Sequence, residues 1–160
     1  MNEWIHIGKL IQNKMEEQGR KVSWLANKVN CRRDNIYKLF SKPSTDTLKL
    51  LNISLALETN FFEYLSKFYN EMTNLTDNID VKRDVVLYDK KDIGKLIKNK
   101  LDEGGRKIVW LAKKIHCKER NIYNIFDRES IDIELLFKVS LALKTNFFIY
   151  LSDLYKNMLK

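Results

Sequence analysis

The sequence is short of the residues on which most enzymes and metal sites depend. It holds two histidines, two cysteines, five glycines and one proline in 160 residues. Neither histidine has a cysteine or serine nucleophile at a usable spacing, and no CxxC or mixed His/Cys ligand pattern is present. The glycines form neither GxGxxG nor GxxxxGK[ST]. We therefore predict that the protein is not an enzyme and that it uses no metal and no cofactor.

Long apolar runs are also missing. No stretch approaches 18 apolar residues, and the start, MNEWIHIGKL, lacks the apolar centre of a secretory signal. Two cysteines without a ligand pattern fit a reducing compartment. These features predict a cytoplasmic protein that makes no use of a membrane.

What the chain does have is charge of both signs with a basic excess. The charged fraction is 31%, the net charge is +8 and the isoelectric point is about 9.4. Mixed charge with 44% apolar content favours a folded chain over disorder. The excess favours nucleic acid or another acidic partner, although improved solubility is the simpler explanation.

An internal duplication organises the sequence. From Ile7 to Met72, each residue aligns without gaps with the residue 86 positions later, and IGKLI, WLA, NIY, SLAL and TNFF recur unchanged. We predict a first unit at residues 1–72, a polar and acidic linker at 73–92, and a second unit at 93–160. Each unit is long enough for five short helices around its own core.

The most informative stretch, RKVSWLANKVNCRRDNIYKLFSK at Arg20–Lys42, recurs as RKIVWLAKKIHCKERNIYNIFDR at Arg106–Arg128. Its apolar residues are spaced for one face of a short helix, followed after a turn by a second helix with a polar outer face. Asn30 and His116 occupy the turn, where a residue that tolerates positive φ is needed. This pattern predicts a helix-turn-helix in each unit. Cys31 and Cys117, which follow the turn residues, we interpret as small buried apolar residues.

Three further helices are predicted in the first unit. They span Ile7–Gln18, ended by Gly19 as carboxyl-terminal cap, then about Thr47–Leu57, and finally Phe61–Met72, whose apolar face is either the last wall of the core or a contact surface for a second copy. Candidate amino-terminal caps are Ser44, Thr45 or Asp46 for the fourth helix and a capping box of Asn60 with Glu63 for the fifth.

The repeat resembles the phage-repressor-like (XRE-type) helix-turn-helix family of bacterial regulators. The resemblance rests on Leu25-Ala26, Asn30-Cys31 and Ile36, on their counterparts Leu111-Ala112, His116-Cys117 and Ile122, and on a later helix containing SLAL. It implies an all-α fold of two tandem five-helix, lambda-repressor-like domains. The absent turn glycine and the phenylalanines at 40 and 126 depart from the family pattern.

The resemblance implies specific double-stranded DNA binding, with the second motif helix in the major groove. Arginine can bridge two acceptors of guanine, and the basic residues before the first motif helix can hold a phosphate. The tryptophans at 24 and 110 are expected to pack on a neighbouring helix rather than stack on a sugar. The DNA-binding candidates are Arg20, Lys21, Arg32, Arg33, Asp34, Asn35, Tyr37 and Lys38 in the first repeat, and Arg106, Lys107, Lys118, Glu119, Arg120, Asn121, Tyr123 and Asn124 in the second.

The two repeats differ at these candidate positions more than in the core. Arg33 corresponds to Glu119, Asp34 to Arg120 and Lys38 to Asn124. Either the units contact different half-sites, or an exposed face has drifted; the sequence leaves both open. Residues 1–72 carry a net charge of +3 and residues 93–160 of +6, so the second unit should hold the DNA backbone more strongly.

We therefore predict a transcriptional regulator that acts as a covalent pseudo-dimer. A flexible 20-residue linker spans about 25 Å on average and at most about 66 Å, so half-sites about 34 Å apart are within reach. Whether the half-sites form a direct repeat or a pseudo-palindrome stays open at this point. An alternative is a protein-interaction module, such as an antitoxin-like protein, using Phe61-Phe62 and Phe147-Phe148. The apolar last helix of either repeat is also a candidate surface for self-association; RNA binding is disfavoured because no aromatic platform is evident.

Overall fold

The structure, a computed structural model, describes residues 5–73, 92–128 and 130–159. These residues form ten α-helices and no named strand, which confirms the all-helical prediction. None of the ten is long and apolar enough to cross a membrane. The helices are α1 (Ile7–Gln18), α2 (Val22–Lys28), α3 (Arg33–Phe40), α4 (Thr47–Leu57), α5 (Phe61–Thr73), α6 (Asp92–Glu103), α7 (Ile108–Lys114), α8 (Glu119–Asp127), α9 (Ile133–Leu143) and α10 (Phe147–Met158).

Helix boundaries in the two repeats agree to within one residue, and the residues predicted to end or link helices behave as expected. Gly19 ends α1 in the left-handed conformation, with φ of 66°. Asn30 and His116 adopt φ of 55° and 56° in the turns after α2 and α7, which confirms their expected role. The linker predicted at 73–92 lies outside the described residues except at its ends, where Thr73 closes α5 and Asp92 opens α6.

The first helix of each repeat approaches the end of the second motif helix unusually closely. A Cβ on Gly8 would lie 2.5 Å from the Phe40 carbonyl oxygen and 2.7 Å from that of Lys42. The Gly8 amide donates to the Lys42 carbonyl oxygen at 3.0 Å. Gly94 repeats the arrangement, with a Cβ 2.6 Å from the Phe126 oxygen. Only glycine lets these backbones pack together, so this contact fixes where α3 and α8 sit.

The two repeats pack against each other through their last helices. α5 and α10 run antiparallel, because Asn60 at the start of α5 donates to Ser152 Oγ (2.7 Å) and Asn146 at the start of α10 donates to Ser66 Oγ (2.9 Å). Phe137 of α9 extends the interface, with its ring centroid 5.3 Å from that of Phe68. The last helix of one repeat thus buries its apolar face largely against the other repeat.

Two neutral tyrosines lie in this interface. Tyr69 is 1% exposed, and its hydroxyl donates to the Ser140 carbonyl oxygen at 3.2 Å. Burial raises the pKa of Tyr69 above its usual value. Burial also raises the pKa of its counterpart Tyr155, with a smaller contribution from the charge of Glu58. A tyrosine is uncharged at neutral pH even without this shift, and burial disfavours the charged form further.

A second contact joins the segments that lead into α4 and α9. Asp46 and Asp132, which are equivalent residues of the two repeats, form an isolated antiparallel bridge. The Thr47 amide donates to the Ile131 carbonyl oxygen (2.8 Å), and the Ile133 amide donates to that of Thr45 (2.7 Å). Thr47 is equivalent to Ile133 and Thr45 to Ile131, so the two bonds join equivalent positions with the repeats exchanged.

The same reciprocity holds for the side chains around the bridge. The Leu48 amide donates to Ser130 Oγ and the Glu134 amide to Ser44 Oγ, each at 3.0 Å. A two-fold axis makes the same surface of each repeat contact the other, so every contact across it occurs twice with the repeats exchanged. A translational repeat would join non-equivalent surfaces instead. The two repeats are therefore related by a pseudo-two-fold axis that passes between Asp46 and Asp132.

Two predicted caps are corrected or refined by this packing. Asp46 caps α4, accepting from the Lys49 amide at 2.8 Å, while Ser44 serves the other repeat. The capping box of Asn60 with Glu63 is wrong as drawn, because the Asn60 amide group is turned toward Ser152 and its Oδ1 is buried without a hydrogen bond. The hydrogen bond from the Asn60 side-chain amide to Ser152 across the interface replaces the predicted cap at the start of α5.

The four phenylalanines offered for partner binding, at 61, 62, 147 and 148, are all fully buried. The apolar faces of α5 and α10 that were candidates for self-association face each other within one chain. The second repeat therefore covers the apolar face for which a second copy of the chain was predicted as a partner. Association between separate chains stays an untested prediction.

Candidate nucleic-acid interface

The second motif helix of each repeat is anchored from beneath and open above. In α3, Ile36 and Leu39 are buried; in α8, Ile122 and Ile125 take the same places. These residues are three apart, so the remaining faces of each two-turn helix project outward. Burial on one stripe thus leaves the remaining residues of α3 and α8 exposed to solvent, apart from the half-buried Phe40 and Phe126.

All sixteen candidate residues lie on the surface. Every one of their side chains is exposed, including Tyr37 at 59% and Tyr123 at 56%. Both tyrosine side chains are therefore available to a partner. The exposed set is Arg20, Lys21, Arg32, Arg33, Asp34, Asn35, Tyr37, Lys38, Arg106, Lys107, Lys118, Glu119, Arg120, Asn121, Tyr123 and Asn124.

The candidates are brought together in groups rather than in one patch. Arg32, Arg33 and Asp34 line a shallow groove between α2 and α3. In the second repeat, Arg106 and Lys107 line a cleft together with Glu119 and Tyr123, so the residues before α7 and the outer face of α8 form one surface. Asn35 instead borders a separate small cavity with Asn52 and Ile53.

The groove of the first repeat also contains two residues that the sequence argument missed. Ser23 and Asn27 of α2 line it beside Arg32–Asp34. They lie four residues apart on the exposed side of α2, and their spacing relative to the buried Leu25 and Ala26 was the available signal. A small hydroxyl and an amide beside three charged side chains add hydrogen-bonding capacity to this groove.

The phenylalanines that departed from the family pattern have a local role. The Phe40 ring meets Tyr37 edge-to-face, with centroids 6.3 Å apart and planes at 87°. Phe126 holds Tyr123 in the same way, at 6.5 Å and 81°. This geometry is a favoured one for aromatic pairs. Each exposed tyrosine is thus supported by the half-buried phenylalanine behind it, which limits its freedom to move.

The basic residues that open the motif are held by tryptophan. The guanidinium carbon of Arg20 lies 4.1 Å from the centre of the Trp24 ring, and that of Arg106 lies 4.5 Å from Trp110. Lys28 and Lys114 approach the same rings at 5.7 and 5.8 Å. Both indoles are half-buried and pack against the core, as predicted. Each indole ring therefore holds one arginine and one lysine beside the motif through cation–π interactions.

A cysteine follows the turn residue in both repeats. Burial raises the pKa of the Cys117 thiol, so this residue is a neutral, half-buried packing group; Cys31 is likewise a free, half-buried cysteine. Within the described part of the chain, no three His, Cys, Asp or Glu residues cluster in a way that would hold a metal ion. The exposed candidate residues offer hydrogen bonds, charge and aromatic edges to a partner.

Comparison of the chain with protein-family models, curated proteins and solved structures gave no significant match. The functional argument therefore depends on the geometry of the two repeats.

Proposed function

We propose that the protein binds double-stranded DNA sequence-specifically, with α3 and α8 entering the major groove, and regulates transcription as a covalent pseudo-dimer. The observation that carries the proposal is the pairing of two polar, outward-facing motif helices by one pseudo-two-fold axis. B-DNA has local two-fold axes of its own, so a protein with this symmetry can present equivalent helices to two half-sites.

The pseudo-two-fold favours an inverted arrangement of half-sites over a direct repeat. The main-chain bonds between Thr47 and Ile131 and between Ile133 and Thr45 reverse the sense of one repeat relative to the other. A direct repeat in DNA would require α3 and α8 to be related by a translation along the duplex, so that both point in the same direction. The operator that fits this protein is a pseudo-palindrome.

The half-sites of that pseudo-palindrome should not be identical. Arg33 and Asp34 at the start of α3 face solvent where Glu119 and Arg120 do in α8. Arginine favours guanine and a carboxylate favours the cytosine amino group, so exchanging their order exchanges the base preference at adjacent steps. Drift on an exposed face remains the competing explanation, and the experiment below separates the two.

Phosphate contacts would come from the residues before α2 and α7. Arg20 and Arg106 stack on Trp24 and Trp110 at the start of each motif. Neutralising each phosphate releases counterions, so the affinity should fall steeply with salt. The more basic second repeat contributes the larger share of this term.

The protein-interaction alternative loses the surface on which it was based. Phe61, Phe62, Phe147 and Phe148 are 0% exposed, so they offer no contact area to a partner while the chain is folded. No other described surface specifically favours this alternative.

The test is selection of binding sites by the intact chain from a random duplex library at about physiological salt. We expect two enriched half-sites in inverted orientation at one fixed spacing. An absence of enrichment, with retention that disappears at moderate salt, would reduce the basic charge to a nonspecific attraction and remove the proposal.

A matched variant tests the assignment of the contact residues. Arg33→Glu/Asp34→Arg gives the first repeat the pair found in the second and leaves the net charge unchanged. We expect the first half-site to change toward the second at the affected bases, each mismatch costing about 1–3 kcal/mol. Unchanged base preference would assign the differences between the repeats to drift.

A further inference from the structure

The second repeat contains a large basic cleft on the side of α7 that carries Trp110. It lies among the end of α6, this side of α7 and the end of α9, and its volume is about 830 Å³. Five cationic side chains line it, together with one indole, and no described carboxylate does. These residues are Lys100, Arg106, Lys114, Lys138, Lys144 and Trp110.

The corresponding cleft of the first repeat is smaller and nearly balanced in charge. Its volume is about 450 Å³, and its lining holds Arg20, Lys28 and the carboxylate of Glu58. The two clefts share the arginine stacked on a tryptophan. Since the repeats have the same backbone plan, the differences must come from particular substitutions between them.

Three substitutions account for most of the difference; the remaining cation, Lys100, has a lysine counterpart, Lys14, which pairs with Glu17 at 2.7 Å outside the smaller cleft. Gln18 fills its cleft by donating to the Leu57 carbonyl oxygen at 2.8 Å, whereas Gly104 stands at the equivalent place and leaves the space open. Lys138 corresponds to Asn52, and Lys144 to Glu58. One change enlarges the cleft, and the other two add three units of positive charge.

The two nearby carboxylates do not close the cleft. Lys100 lies 3.6 Å from Glu103, and Lys138 lies 4.0 Å from Glu134. Neither carboxylate lines the cleft, and their side chains are 61% (Glu103) and 45% (Glu134) exposed, so each pair at this separation contributes little. Five cations around one concave space repel each other, so an anion that bridges them would lower the electrostatic free energy.

We propose that this cleft is a binding site for a small molecule carrying two or more linked phosphate groups. The volume matches that of a ligand site. Several ammonium groups and one guanidinium suit closely spaced phosphate oxygens, because charge-assisted hydrogen bonds to phosphate are strong. Leu141, which is 39% exposed at the rim, supplies apolar area beside the charge for a ligand with an organic part.

The site is built into one repeat only, which gives the experiment an internal control. Inorganic tripolyphosphate is titrated into the intact chain at about physiological salt, and the indole N–H signals of Trp110 and Trp24 are followed by NMR, after assignment with Trp→Phe variants. We expect the Trp110 signal to respond at a concentration at least about tenfold below that needed for Trp24. Inorganic phosphate should be much weaker, because it bridges fewer cations.

Three variants separate the cleft from a general charge effect. Lys138→Asn/Lys144→Glu installs the residues of the first repeat, which its backbone accommodates, and should weaken tripolyphosphate binding at least about tenfold. Gly104→Gln keeps all five cations and fills the space, and should weaken binding similarly. The converse variant Asn52→Lys/Glu58→Lys should lower the concentration at which Trp24 responds.

The inference does not depend on the proposed DNA function, because the titration is made without DNA. Equal responses of Trp110 and Trp24, or full binding by Gly104→Gln, would overturn it. Loss of duplex DNA affinity in Lys138→Asn/Lys144→Glu, with no preference for tripolyphosphate over phosphate, would assign the cations to the DNA backbone instead and also overturn it. Helical circular dichroism of each variant establishes that it is folded.

Discussion

At the scale of single residues, the backbone conformation after each helix explains choices that composition alone does not. Among the residues that the structure describes, four non-glycine residues have positive φ, namely Asn30, His116, Glu58 and Lys144. Asn and His are enriched in this conformation, whereas Glu and Lys have no such preference. Glu58 and Lys144 end α4 and α9 at the position where glycine is commonest.

Glu58→Gly should stabilise the protein by about 1 kcal/mol. The left-handed conformation costs a residue with a side chain about 1–2 kcal/mol. Glycine avoids this cost, but it loses more conformational entropy on folding, which offsets part of the gain. The substitution also removes a negative charge from the negative end of the helix dipole. Urea unfolding of the variant and the parent measures the difference in free energy of unfolding.

Lys144→Gly is the matched control, because it relieves the same conformation but loses a charge that the α9 dipole favours. Its gain should be smaller than that of Glu58→Gly. Equal gains would mean that the dipole contributes nothing at these positions, and a loss at Glu58 would contradict the argument from backbone conformation.

At the scale of elements, the close approach of α1 to α3 and of α6 to α8 sets the position of the motif helices. The Ile7 and Gly8 amides donate to the Pro43 and Lys42 carbonyl oxygens, each at 3.0 Å. These bonds satisfy groups at the start of α1 that have no partner within the helix. A glycine in the first turn of a helix, usually a weak choice, here makes the contact possible.

Gly8→Ala should destabilise the protein by at least about 2 kcal/mol, because the added methyl group meets backbone oxygens that cannot move without displacing α3. Gly94→Ala should behave alike. Gly104→Ala is the control: its Cβ would have no neighbour closer than 3.6 Å, so a change within about 0.5 kcal/mol is expected.

Thermal and urea unfolding of the three variants give the comparison. A Gly8→Ala variant as stable as the parent would show that α1 and α3 separate at little cost. The position of the motif helices would then not depend on this contact.

At the scale of the whole molecule, the pseudo-two-fold interface replaces the picture of two tethered units. The interface joins α5 to α10 and the segment before α4 to the segment before α9. Reciprocal main-chain bonds and buried aromatic rings on both sides of the axis oppose independent rotation of the repeats. On the proposed DNA function, this has a measurable consequence for operator spacing.

The affinity for the selected operator should fall sharply when base pairs are inserted between its half-sites. A docked pair of repeats holds its helices at one separation, so insertion of 5 or of 10 base pairs should reduce the affinity to about that of a single half-site, a loss of at least about tenfold. Gel-shift titration of the three duplexes measures this.

Recovery of affinity with the 10-base-pair insertion is the outcome that would contradict docking on DNA. That insertion restores the half-sites to the same side of the duplex, which a freely tethered pair can follow.

The sequence alone determined the helices and their repetition. Apolar spacing of 3.6 residues, Gly19 after α1 and Asn30 or His116 in the turns act within a few residues of each other, so their consequences can be inferred locally. The same applies to the outward direction of the sixteen candidates, since buried Ile36 and Leu39 orient the rest of α3. Their DNA contacts stay a prediction.

Only the tertiary structure decided how the repeats are related. The apolar face of α5 could have covered its own core, another chain or α10, because burial of apolar area carries no direction. The bonds between Thr47 and Ile131 and between Ile133 and Thr45 join main-chain groups, which every residue shares and no side-chain pattern marks. The serine bonds beside them depend on which residues folding brings together. The basic cleft, too, brings Gly104, Lys138 and Lys144 together from distant parts of the chain, and only folding places them around one space.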